Sequence, residues 1–366
     1  MYIFLDTNVY FNNWFLKSPS FEKLSQYCNN NDATLLVSEV IVNEVEAKFI
    51  EETDKALKQL DEARRACKNV GYGGVPKVDS FDSSYDFREV LKENITNIIF
   101  LPYDTIPHRL LVAKAIGAKR PFNENEKGYR DALIWHSLLD FLKMDKFGTS
   151  VAFVTENSSD FFDNKSESIQ FYKDLLNDLR NAKVANRFLL FRNLRQFVDT
   201  NKIITSDGID RERLIAELLP TIESSAEDAA IDYLNGLSTA ATQSLFSTAG
   251  FSPQAVPLLL AANWEIFEGT EDAQILSAEL LDKDKAYVSY DFNLRNVTSY
   301  WNVRAVDFLQ NKKAFDDAFW NVKIDSEIVH AETVARCYFK SSFIIDLAKL
   351  EIMESSIDSA WLREYF

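Results

Sequence analysis

The stretch Tyr2-Ile3-Phe4-Leu5-Asp6-Thr7-Asn8 decides how the first half of the chain folds. Its apolar run is too short for a helix and breaks into Asp-Thr-Asn, so it predicts a buried strand ending in a polar turn, with Asp6 at the carboxyl end. The same signature returns at Val151-Ala152-Phe153-Val154, which is followed by Thr155-Glu156-Asn157 and a loop carrying Asp160. Residues 35–37 and 188–191 supply two further strand candidates. Between them lie helical segments: 39 to about 60, capped by Ser38; 109–118; 132–142, with Ile134, Trp135, Leu138, Leu139 and Leu142 on one stripe; and 167–181. Strands alternating with helices imply a parallel α/β sheet flanked by helices.

Open parallel sheets bind ligands at the carboxyl ends of their strands, so the turns carrying Asp6 and Asp160 are expected to meet. Two helical acids join them. Glu44 stands three and four residues from Ile41 and Val40 and three from Ala47, beside the buried stripe of its helix. Asp131 stands three and four residues before Ile134 and Trp135. Buried like charges resist ionisation, and a divalent cation removes that penalty. Oxygen donors of this kind select Mg²⁺ or Mn²⁺, which lower the pKa of bound water and stabilise charge on a phosphoryl group. Taken singly, an Asp after a strand is a turn former and Asp131 a helix-capping acid, and Asn8 either orients Asp6 or stabilises its turn. The combination points to hydrolysis without a protein nucleophile.

The composition narrows the alternatives. With 366 residues, 46% of them hydrophobic, the chain exceeds one compact domain. It reads as a first domain over 1–200, a helical connection over 201–245, and a smaller α+β domain over 246–366. Antiparallel strands are expected in the last at 286–290, 297–306 and 328–339, where Val329, Ala331, Thr333, Ala335, Cys337 and Phe339 alternate with more polar neighbours. Cys28, Cys67 and Cys337 are too scattered for a disulfide framework or thiolate zinc site, and His108, His136 and His330 have no paired spacing. No apolar run is long enough to span a bilayer, so a soluble, cytoplasmic protein without a membrane partner is expected.

The net charge of −16 argues against an extended basic surface. Its distribution is uneven: 11 basic against 16 acidic residues in 1–100, 15 against 13 in 101–200, and 14 against 27 in 201–366. Lys119, Arg120, Lys127 and Arg130 precede Asp131 and are candidates to face a phosphate backbone, with Tyr129 or Phe122 stacking on a base; a solvated loop is the other reading. Arg180, Lys183, Arg187, Arg192 and Arg195 form a second basic stretch of the same kind.

Four segments together resemble a known family: Ile3-Phe4-Leu5-Asp6-Thr7-Asn8, Ser38-Glu39-Val40-Ile41-Val42-Asn43-Glu44-Val45, Lys127-Gly128-Tyr129-Arg130-Asp131-Ala132-Leu133-Ile134-Trp135, and Phe153-Val154-Thr155-Glu156-Asn157-Ser158-Ser159-Asp160-Phe161. Their order and context are similar to those of PIN-like domains over about residues 1–200. The resemblance implies a ribonuclease fold of the toxin and RNA-decay type, with Asp6, Glu44, Asp131 and Asp160 coordinating Mg²⁺ or Mn²⁺ and Asn8 and Asn157 as accessory polar groups. It implies a metal-dependent endoribonuclease acting on single-stranded RNA, toxin-like or defence-related. The long insert between Glu44 and Asp131 and the C-terminal portion depart from compact toxins. The C-terminal domain is expected to govern assembly, regulation or target choice, through a homo-oligomer or a regulatory protein partner. The alternatives are a non-catalytic PIN-like module that binds RNA or protein, and a structure-specific DNA nuclease. A haloacid-dehalogenase-like phosphatase would need Asp two residues after Asp6, where this chain has Asn8.

Overall fold

The computed structural model describes residues 1–72, 84–123, 127–163, 168–202 and 211–363, with the backbone alone for 211–214. The chain divides into two compact units, Met1–Ile204 and Thr205–Phe366. The cluster of Gly, Pro, Asp and Ser between Gly71 and Ser84 reads from sequence as a loop, and most of it lies outside the described residues.

The first unit runs β1 (Tyr2–Leu5), α1 (Thr7–Tyr10), α2 (Pro19–Asn30), β2 (Thr34–Ser38), α3 (Glu39–Asn69), α4 (Phe87–Asn94), β3 (Ile98–Leu101), α5 (His108–Ile116), α6 (Tyr129–Leu142), β4 (Val151–Val154), α7 (Ser158–Phe161), α8 (Lys173–Asn181), β5 (Phe188–Phe191) and α9 (Leu194–Thr200). The strands form one parallel sheet in the order β3-β2-β1-β4-β5, as the sequence predicted for its class. Residues 3–5 and 151–154 are buried, which is why both strands read as unbroken apolar runs. Phe4 stacks on Phe153 across β1 and β4 at 5.5 Å, and Trp135 of α6 meets Phe153 edge-on.

Several elements differ from the sequence reading: α2, α4 and α9 are not among its helices, and the helix expected over 167–181 is described over Lys173–Asn181. The helix opened by Ser38, whose Oγ accepts from the Val40 amide at 3.3 Å, continues nine residues past Leu60 to Asn69. Its charged, exposed part is laced by Lys48 and Lys55 with Glu51 and Glu52, pairs that support a helix without a core face. Strand β3, Ile98-Ile99-Phe100-Leu101, carries the same unbroken apolar run as β1 and β4 and is absent from the sequence reading, although its burial in the sheet is mixed.

In the second unit, α10 (Arg211–Gly236), α11 (Thr239–Thr248), α12 (Ala305–Gln310) and α13 (Lys312–Asp316) accompany an antiparallel sheet. Its strands are β6 (Ala261–Ile266), β7 (Thr270–Leu280), β8 (Lys285–Arg304), β9 (Trp320–Asp325), β10 (Ile328–Asp346) and β11 (Glu351–Arg363). The order is β11-β10-β8-β6, with β7 also on β8 and β9 also on β10. The strands expected at 286–290 and 297–306 are one strand, β8, bulged opposite Ala335–Cys337, and Val306 lies in α12. Residues 211–236, read as a connection, belong to this unit's core: Leu218, Ile222, Ala226, Ala230 and Leu234 are buried in one cluster with the sheet residues Tyr290, Trp301 and Phe339.

Phe4→Ala is expected to cost about 3–5 kcal/mol, because it empties a ring-sized volume beside the central strand. Denaturant unfolding of the full chain, followed by tryptophan fluorescence, checks this; a cost under about 1 kcal/mol would contradict the packing described.

Candidate active site

Strands β1, β2 and β4 are neighbours and parallel, so the segments that follow them emerge at one edge of the sheet. Asp6 ends β1, Glu44 lies in the second turn of α3 after β2, and Asp160 lies in α7 after β4. Helix α6 leads back into β4, so its first turn, which holds Asp131, also belongs to this edge.

Three of the four acids hang on one chain of hydrogen bonds. Thr7 Oγ1 donates to Glu44 Oε2 at 2.7 Å, and the Thr7 amide donates to Asp6 Oδ1 at 2.8 Å. Thr155 Oγ1 donates to Asp6 Oδ2 at 2.7 Å and accepts from the Asn157 amide at 3.1 Å. Asn157 Nδ2 then donates to Asp160 Oδ2. Asn8 ties the two turns together, its Oδ1 accepting from the Glu156 amide at 3.2 Å. Both accessory asparagines read from sequence are thus part of the scaffold. The two threonines were not read, since a contact 149 residues away leaves no local signature.

Asp6 is only 3% exposed, and burial, opposed by the Thr155 and Thr7 bonds and reinforced by the charges of Asp131 and Glu44, pushes its pKa up to about 7. Asp131 is pushed up to about 6, chiefly by burial and then by Asp160 and Glu44, against a lowering from Arg130. Each acid therefore feels at least one of the others. Glu44, Asp131 and Asp160 line a cleft of about 530 Å³ with Asn123, Lys127, Gly128, Tyr129 and Arg130. Among the described residues, no three His, Cys, Asp or Glu side chains stand close enough to share a metal ion as placed. Cations occupy two of the carboxylates: Arg130 Nη1 lies 2.5 Å from Glu44 Oε1, and Arg120 Nη1 lies 3.7 Å from Asp160 Oδ1.

Gly128 sets the start of α6. Its φ of +107° is a left-handed conformation, and a Cβ there would stand 2.4 Å from the Pro121 carbonyl oxygen. Any other residue would push apart the loop that presents Arg120 and the turn that presents Asp131.

Of the remaining sequence candidates, Lys127, Arg130 and Tyr129 line the cleft, and Tyr129 is 45% exposed. Lys119 is exposed on the turn after α5, its aliphatic chain against Gly117. Phe122 is not available for stacking, because it is 1% exposed within a small core formed with Ile106, Leu111 and Ala132. In the second basic stretch Arg195 is buried and its Nε donates to Asp199, so it serves the fold.

Open parallel sheets commonly bind ligands at this edge, where Glu44, Asp131 and Asp160 line the cleft and Asp6 is buried at the end of β1. Residues 3–161 match the family model of the PIN domain. PIN domains are generally nucleases and typically use divalent metals, so the match suggests a nuclease-type family for the N-terminal unit. The matched span holds all four acids and ends with α7, and no family model matches the C-terminal part. No curated protein and no solved structure matches the chain. No helix among the described residues is long and apolar enough to cross a membrane.

The raised carboxylates make the metal-free protein pH-sensitive. A folded-state pKa above the unfolded value means the fold binds these protons more tightly, so the contribution of Asp6 and Asp131 to stability is fully present below about pH 4 and is lost as pH climbs to about 7. In EDTA, Asp6→Asn is expected to melt several degrees above the unmodified protein at pH 8, with the gap closing by pH 5. Equal gaps at both pH values in a thermal melt would contradict this.

Proposed function

We propose that the PIN unit is a Mg²⁺- or Mn²⁺-dependent phosphodiesterase, and specifically an endoribonuclease cutting single-stranded RNA. The observation that carries the reading is the convergence of Asp6, Glu44, Asp131 and Asp160 on one sheet edge at a cost in carboxylate ionisation. That cost is hard to understand in a structural site and is removed when a divalent cation neutralises the cluster.

The donor set fits such an ion. Every group is a hard oxygen, and Asp6 and Asp131 are left partly protonated near neutral pH by their surroundings. Asp6, Glu44, Asp131 and Asp160 would hold it. When bound, it would supply an activated water and charge stabilisation at the phosphoryl group. The chain's own residues do the rest. Thr155 and Thr7 fix the orientation of Asp6, Asn157 fixes Asp160, and Arg130, whose side chain is 73% exposed, is free to leave Glu44 for a substrate phosphate. Tyr129 offers a ring at the cleft on which a base can stack.

Because arginines occupy Glu44 and Asp160, a second reading has specific support: a module that binds RNA or protein and keeps its acids satisfied without metal. A DNA nuclease would use the same acids, since the chemistry does not depend on the sugar.

Incubation of the full chain with labelled single-stranded RNA, single-stranded DNA and duplex DNA, in Mn²⁺, Mg²⁺ or EDTA, separates these. The expected result is metal-dependent cutting of single-stranded RNA, reduced by roughly 10²-fold or more in Asp6→Asn plus Asp131→Asn. Cutting of DNA alone would favour the DNA nuclease, and no cutting of any substrate would favour the binding module.

A further inference from the structure

The two arginines at the cleft are held very differently. Arg130 projects from the first turn of α6 into solvent, with its guanidinium on Glu44. Arg120 is anchored through its backbone and its side chain. Its amide donates to Asp174 Oδ2 at 3.2 Å, and its carbonyl accepts from Lys114 Nζ at 3.4 Å. Its guanidinium lies 4.4 Å from the ring centroid of Tyr172, and its Nη1 faces Asp160. The side chain remains 30% exposed, so the cation is fixed yet reachable.

The lysine behind it is unusual. Lys114 is 5% exposed, on a helix whose other face is largely solvated. Its ammonium pairs with Asp178 Oδ2, and the same oxygen accepts from Trp135 Nε1 at 3.0 Å. A buried ion pair is poor value for stability, since desolvating two charges offsets their attraction. Here it joins three helices, α5, α6 and α8, at the point where the chain turns into Arg120, and a second Lys114 donor goes to the Arg120 carbonyl.

We infer that Arg120 is the prearranged phosphate-binding cation of the site, stacked on Tyr172 beside Asp160, and that the buried Lys114–Asp178–Trp135 unit is the positioning device that holds it. The inference rests on the nuclease reading for its substrate, single-stranded RNA. A planar guanidinium suits the paired oxygens of a phosphodiester, and stacking on an aromatic face leaves its N–H edge pointing outward for that purpose. Because Arg120 faces Asp160, an ion on that carboxylate and a phosphate on the guanidinium would lie side by side, as substrate next to a metal requires. Tyr172 and Lys114 touch no substrate; they act through Arg120. Lys119, its exposed neighbour, has no such support and serves as the control for general electrostatics.

The test uses the full chain and a labelled single-stranded RNA 12-mer. Fluorescence anisotropy in Ca²⁺ gives Kd across a KCl series, and cleavage in Mn²⁺ is measured in parallel. Arg120→Ala is expected to weaken binding about tenfold and to reduce the slope of log Kd against log salt by about 0.7, the loss of one phosphate contact. Lys119→Ala should leave the slope unchanged. Tyr172→Phe, which keeps the ring, should match the unmodified protein, while Tyr172→Leu should weaken binding severalfold with Arg120 still present; circular dichroism verifies that each variant is folded. Mn²⁺ affinity by calorimetry should not fall in Arg120→Ala, because removing a cation from Asp160 frees a ligand. If Arg120→Ala binds with the unmodified Kd and slope while the unmodified protein still cleaves, the inference is overturned and the nuclease reading stands. If the unmodified protein neither binds nor cleaves RNA, both fall.

Discussion

Four carboxylates gathered at one end of a parallel sheet are the constraint on which the rest of the first unit depends. Carboxylates repel one another and resist leaving water, so a fold that collects them must hold them by other means. Here the means are short. Thr155 directly follows β4, Thr7 follows β1 with Asp6 between them, and both donate to the acids, while Asn157 carries the chain of hydrogen bonds on to Asp160. These bonds fix geometry without neutralising charge, and the residual imbalance appears as raised pKa values at Asp6 and Asp131. Perturbed carboxylates of this kind cluster at functional sites.

The flanking groups form a second tier. Arg130 and Arg120 temper the acids in the structure described, one through a long exposed side chain and the other through an anchored one. Gly128 joins the tiers, since its left-handed backbone lets the Pro121 carbonyl approach and so sets the Arg120 loop against the first turn of α6. For the function proposed here the chain's acidic balance is no bar to a polyanion: Lys127, Arg130 and Arg120 stand beside the acids, and the strongest acidity belongs to residues 201–366.

The sequence was most legible where function and local pattern coincide. Asp6 and Asp160 follow apolar runs, and Glu44 and Asp131 sit at helical spacing from buried residues; each is a local signal, and the structure brings each of the four within electrostatic reach of at least one other. Thr155, Lys114, Asp178 and Tyr172 were not legible, because their meaning lies in partners many residues distant and their local surroundings look like ordinary turns and amphipathic helices. Phe122 misled for the same reason: its neighbours are polar, yet Ile106, Leu111 and Ala132 enclose it. The helix at 211–236 is a different case. Its four-residue spacing of Leu218, Ile222, Ala226, Ala230 and Leu234 was present in the sequence as the stripe of a core-facing helix, and a connection needs no such stripe.

The measurement closest to the central claim is a calorimetric titration of Mn²⁺ into the metal-free full chain at pH 6, in two buffers of different ionisation enthalpy. If the four acids form a metal centre, binding is saturable, is lost in Asp6→Asn plus Asp131→Asn, and releases about one proton or more, since an Asp6 held at about 7 and an Asp131 held at about 6 must both ionise. Heats that are absent, or unaffected by the double substitution, would contradict it.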